Sequence, residues 1–262
     1  MTRRTCLAFL LALTAALPLT AQARPITVFA AASLSAAFGD LGARYEAAHP
    51  DRKVVFNFAG SQQLAAQLDQ GAKAEVFASA DQRWMDHARD AGQLIGTSII
   101  FVHNRLVVIT PKSKPGAIDR LQDLAKPGTK LVLAGAVVPV GKYSRDVLAR
   151  LSQQPGYGAD YSARVLANLV SEEDNVKAVV AKVQLREADA GVVYRSDVTP
   201  SVAKEVRVLD LPDAANIIAD YPIALLASAP DSGAGREFIE LVLSADGQAV
   251  LRNYGFEPIT GK

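Results

Sequence analysis

Cysteine is almost absent from this chain, with a single residue at position 6 of 262. No disulfide framework and no paired thiolate site can be built from it. Histidine is scarce as well: His49, His87 and His103 are the only three, and no two stand at a metal-binding spacing. There is no H-E-x-x-H, no Walker A run, no G-x-G-x-x-G after a strand and no G-x-S-x-G, since AGSQQ lacks the second glycine. An excess of charge of either sign is missing too, with a formal net of +1, which gives no footing for nucleic acid or an anionic membrane. Aromatics are sparse at 6%, and Trp84 is the only tryptophan. These absences leave the catalytic constellations poor, so that an enzyme here would need unusual machinery.

What is present begins with a leader. MTRRTCLAFLLALTAALPLTAQA has a basic start at Arg3 and Arg4, an apolar run from about Cys6 to Leu19, and small residues at Ala21 and Ala23. That is the pattern of a secretory signal cleaved after Ala23, giving residues 1–23 as signal peptide and a periplasmic destination. The run is short for a membrane span, which needs about 20 apolar residues, and Pro18 interrupts it. Cleavage removes two positive charges and no acid, so the net becomes −1.

From Arg24 onward, strand-like runs alternate with helical ones. ITVFA (26–30), KVVFNFA (53–59) and EVFASA (75–80) read as strands, each followed by a helix. Asp81 is placed to cap the third helix and Gly92 to end it. The order β-α-β-α-β-α predicts a parallel sheet wrapped by helices. SIIFVHNRLVVIT (98–110) is too long for one short strand. A second α/β series follows: a strand at 130–134, helices from about Lys142 to Leu151, Tyr161 to Leu169 and Val176 to Val183, and a strand at 190–194. After a second apolar run at 221–229, the chain closes with helices at about 232–253. Two α/β units joined by two extended crossings predict two lobes around a cleft. The hinge then lies near His103 to Leu106 and Asp220 to Ile223. The lobes are expected over 24–103 plus 222–262, and over 104–221. A single doubly wound sheet is the alternative.

The stretch TVFAAASLSAAF (27–38) places Ser33 where a strand gives way to a helix, among tiny residues and with no lysine or arginine nearby. FAGSQQLAAQL repeats the arrangement around Ser61. Helix starts present free N–H donors and a positive dipole end, so two such seams on one sheet edge suit an anion. Each serine could instead cap its own helix. In the second unit, Pro139 and Gly141 precede a helix and could free the N–H of Val140. Ser171, Asp174 or Asn175 could cap a helix beginning near Val176, or the stretch could be a solvated acidic helix start. Tyr194 ends a strand, either at the cleft or in the core.

VFAAASLSAAF, QGAKAEVFASADQRWMD, VPVGKY, NVKAVV, GVVYRSD and the closing YGFEP together resemble the periplasmic molybdate-binding proteins of ABC importers. The resemblance covers the chain beyond the leader. It implies a two-lobed type II periplasmic-binding fold holding a tetrahedral oxyanion through neutral donors. Carried onto this sequence, the family's ligand positions fall on Ser33, Ser61, Val140, Val176 and Tyr194. Two departures stand out: Gln62 and Gln63 follow Ser61 where small residues are frequent, and Val140 occupies a place commonly held by alanine. The expectation is an exported carrier of molybdate or tungstate that delivers to an ABC permease. It is expected to be monomeric and non-enzymatic, and to carry no resident cofactor. Sulfate or another oxyanion is the alternative ligand, and a secreted serine-dependent hydrolase the alternative class.

Overall fold

The computed structural model describes residues 25–113 and 118–259. The expected signal peptide and Cys6 lie outside the described residues.

Strand β1 (Ile26–Ala31) passes through a 3-10 turn into α1 (Ser35–Ala48), and β2 (Val54–Ala59) leads into α2 (Ser61–Asp69). Next come β3 (Val76–Ala78) and α3 (Gln82–Asp90), which the Asp81 carboxylate caps by accepting the Trp84 N–H at 3.0 Å. β1 pairs in parallel with both β2 and β3. Helix starts that follow β1 and β2 therefore share one edge of the sheet.

The long apolar run is a single strand, β4 (Leu94–Pro111). The second series contains β5 (Leu131–Ala134), α4 (Pro139–Leu151), α5 (Tyr161–Leu166), β6 (Leu169–Glu173), α6 (Val176–Gln184), β7 (Ala190–Tyr194) and β8 (Val206–Asp210). β9 (Ile218–Leu226), α7 (Ser232–Leu243), α8 (Ala245–Asn253) and the short β10 (Glu257–Pro258) complete the described chain.

The strand order is β2-β1-β3-β9-β4-β7-β5-β6, with β8 and β10 also paired to β4. β4 serves both halves. Its stretch from Leu94 to Arg105 pairs with β9, and its stretch from Leu106 to Pro111 pairs with β7 and β8. The fold is mixed α/β with a central sheet flanked by helices.

Three local expectations are corrected. Helix α5 ends at Leu166, and residues 169–173 form β6 where a helix and an acidic helix start were expected. LVSEE alternates half-buried and exposed residues at the sheet edge, so its polarity hides a strand. Helix α4 begins at Pro139 and not near Lys142, because proline is pre-shaped for a first turn and loses no needed N–H there. Strand β8 was not expected at all.

The first half packs on an aromatic cluster. Phe38 meets Phe238 edge-on at 5.7 Å, and Tyr45 and Phe56 close on the same ring at 5.9 Å each. The second half packs on aliphatic side chains such as Leu131, Leu133, Val147, Val179 and Val193. Gly141 lets the first turn of α4 rest on the chain leaving β5, since a Cβ there would stand 2.0 Å from the Gly135 oxygen.

Candidate functional site

Ser33 sits in the 3-10 turn after β1 and is 2% exposed. Its side chain caps no helix, and its Oγ lies 2.9 Å from the Tyr221 hydroxyl. Ser61 is the first residue of α2, behind Gly60. There the Gln63 side chain accepts the Gly60 N–H at 3.0 Å, and Ser61 Oγ accepts the Ala80 N–H at 3.0 Å. Neither serine is a cap for its own helix, which settles that alternative.

The other three positions come from the opposite half. Val140 is the second residue of α4, and no carbonyl four places back within the helix reaches its N–H. Val176 opens α6. Asn175 caps this helix by accepting the N–H groups of Lys177 (3.0 Å) and Ala178 (3.2 Å), and so leaves the Val176 N–H untouched. Tyr194 ends β7 at 1% exposure, and its hydroxyl has no hydrogen bond of normal geometry among the described residues. Burial pushes its phenol well above the usual range, so it stays protonated and able to donate.

All five residues line one small cavity, with room only for a small guest. Asn175, Pro139 and alanines 31, 32, 59 and 80 complete most of the wall, and no charged side chain lines it. The starts of α2, α4 and α6 border it with their positive dipole ends. Lys177, next to Val176, is paired with the buried Asp197 at 2.9 Å. Burial raises the Asp197 carboxyl, Lys177 opposes that rise, and the Tyr194 N–H donates to it at 3.1 Å. Among the described residues, no group of three or more His, Cys, Asp or Glu could hold a metal ion.

Sequence reasoning singled out Gln62 only as a departure beside Ser61, and it missed the contacts that join the two halves over the cavity. Gln62 Nε2 donates to the Asp174 carbonyl at 2.8 Å, and a Cβ on Gly60 would come within 2.6 Å of that oxygen. Arg83 Nη2 and Trp84 Nε1 both donate to the Val137 carbonyl, at 2.6 and 3.1 Å. It also missed Tyr221 and Asn104 behind Ser33. Their only sequence signal was their place in the two expected hinge stretches, His103 to Leu106 and Asp220 to Ile223.

A small neutral cavity between two α/β halves spanned by a shared strand defines a binding protein of the type II periplasmic class. Residues 26–257 match the model for bacterial extracellular solute-binding proteins, and the chain belongs to that family. More narrowly, it is 40% identical over 237 residues to the molybdate-binding protein ModA of Mycobacterium tuberculosis, covering 90% of this chain and 86% of that one. The substrate-binding domain of a putative molybdenum ABC transporter from Clostridium difficile is 27% identical with a TM-score of 0.66, covering 90% and 100%. The periplasmic molybdate-binding protein of Azotobacter vinelandii shares the fold at a TM-score of 0.77 and 18% identity, covering 90% and 100%.

Proposed function

We propose that this protein captures molybdate, and also tungstate, in the cavity between its halves and hands the anion to an ABC-type membrane permease. The observation that carries the reading is the convergence of Ser33, Ser61, Val140, Val176 and Tyr194 on one small uncharged cavity. The names of its relatives support the choice of anion. The protein works as an exported periplasmic monomer, carries no resident cofactor and performs no catalysis.

A buried dianion loses its hydration, so each oxygen needs donors. Hydrogen bonds to a charged group contribute about 1.5–3 kcal/mol each. Roughly six or seven of them, counting serine N–H groups, give a gross of about 10–20 kcal/mol. Closure and lost freedom oppose this, and a net of about −8 to −12 kcal/mol corresponds to micromolar to nanomolar affinity. Helix starts supply compensating partial charge without a fixed cation, which suits a carrier that must release its cargo. Opening flexes β4, the strand common to both halves.

Thermal shift with molybdate, tungstate, sulfate and phosphate tests the reading. The first two should raise Tm by several degrees and the others little. A shift with sulfate alone would reassign the anion. Ester hydrolysis without any anion response would overturn the carrier reading altogether.

A further inference from the structure

Behind Ser33 runs a chain of buried polar groups that the cavity itself does not use. Asn104 is fully buried in β4, and Tyr221 is fully buried in β9. The Asn104 side-chain oxygen accepts the Arg105 backbone N–H at 3.0 Å. That bond fixes the amide's orientation, because a backbone N–H needs an acceptor opposite it. The Asn104 NH2 group therefore faces inward. It donates to Ser196 Oγ at 2.8 Å and to Tyr221 Oη at 3.3 Å.

Tyr221 has one proton to place. Asn104 offers it only N–H groups, and Tyr194 offers no hydrogen bond of normal geometry. The acceptor within reach is Ser33 Oγ, at 2.9 Å. Burial holds the Tyr221 phenol well above its usual range, so that proton is retained. We infer that Arg105 N–H, Asn104 and Tyr221 form a directional relay that fills a lone pair of Ser33 and turns the Ser33 hydroxyl hydrogen toward the cavity. Asn104 and Tyr221 are thus positioning residues for the bound anion, which neither touches. Ser61 receives the same treatment more simply, since the Ala80 N–H occupies its oxygen. Both serines are then presented as donors to a guest that only accepts.

The inference rests on the oxyanion reading and is tested by a double-mutant cycle on molybdate affinity, measured by titration calorimetry. Tyr221→Phe keeps the ring and deletes the proton. Alone, it should weaken molybdate binding about fivefold, the scale of one neutral hydrogen bond. In a Ser33→Ala background it should change nothing further, because its only route to the anion is gone. Equal losses in both backgrounds would overturn the relay, as would no loss in the single variant. A purely structural role for Tyr221 gives the equal losses, so the cycle separates the two. Asn104→Leu repeats the cycle from the next link and should show the same dependence on Ser33. Wild-type protein that binds molybdate while the cycle is additive refutes the relay alone. Wild-type protein that binds none of the oxyanions refutes the functional reading and the relay with it.

Discussion

Replacing Arg83 and Trp84 together should accelerate release of the bound anion while leaving its capture rate nearly unchanged. Both side chains start α3 in one half and end on a single acceptor in the other, the Val137 carbonyl. The guanidinium also lies over the indole at 4.9 Å, a contact within one half that opening would not break. Arg83 is 43% exposed, so its bond contributes about 0.5–1 kcal/mol and not the fuller value of a buried charged pair. The indole bond adds a similar amount, for a total of about 1–2 kcal/mol. At 1.4 kcal/mol per factor of ten, the release rate should rise about 5- to 30-fold. The effect falls on release because the contacts exist only when the halves meet. Stopped-flow displacement would measure it. Arg83→Ala keeps Trp84, the chain's only tryptophan, as a fluorescent reporter placed at the contact between halves. Arg83→Ala/Trp84→Phe can be followed by calorimetric displacement. A double variant that releases molybdate within twofold of the wild-type rate would refute the reasoning.

Three other outcomes follow from the same geometry. Ser33→Ala and Ser61→Ala should each weaken molybdate binding by about 1.5–3 kcal/mol. Both should also lower the Tm of the unliganded protein, because Ser33→Ala strands the buried Tyr221 hydroxyl proton and Ser61→Ala the buried Ala80 N–H; an unchanged Tm in either variant would contradict that. Tyr194→Phe should cost about 1.5–3 kcal/mol of affinity with little change in unliganded stability, since its hydroxyl holds no other group. An affinity within twofold of wild type would make that tyrosine mere packing. Asp123 supplies a pH signature. Burial acts to raise its carboxyl, but the N–H groups of Asp119 and Arg120 and the Lys126 ammonium outweigh it and hold it at about 2. A depressed carboxyl stabilises the fold above its unfolded value near 3.9, and that contribution is lost as pH falls through about 2. Discounted for its solvent-exposed partners, it amounts to about 1–2 kcal/mol. Asp123→Asn should therefore lower Tm at neutral pH, and its melting curve should converge on wild type as pH approaches 2.

Much of this architecture was readable from residue order. The seams around Ser33 and Ser61 announced themselves because tiny residues interrupt the change from a two-residue to a 3.6-residue apolar rhythm. Parallel pairing then places them side by side. The anion assignment needed the family likeness, since a neutral donor set carries no charge signature. Strand β6 escaped notice because an edge strand with one wet face has the composition of a loop. Asn104 and Tyr221 fall inside the expected hinge stretches, but with His103, Arg105 and Asp220 beside them nothing in the sequence marks these two as the side chains that turn inward to Ser33. Arg83 and Trp84 looked like the outer face of a helix. Their partner is a backbone carbonyl more than 50 residues away, and a carbonyl leaves no trace in a sequence.

The strand shared by both halves sets how this molecule can be tuned. Since β4 runs unbroken from one half into the other, the halves stay joined by continuous backbone as they swing apart. The balance between the two postures then rests on the few side chains that touch across the mouth. Selection can adjust that dial through Gln62, Arg83 or Trp84, making the grip tighter for scarce supply or looser for rapid turnover, while the cradle that discriminates between ions stays intact.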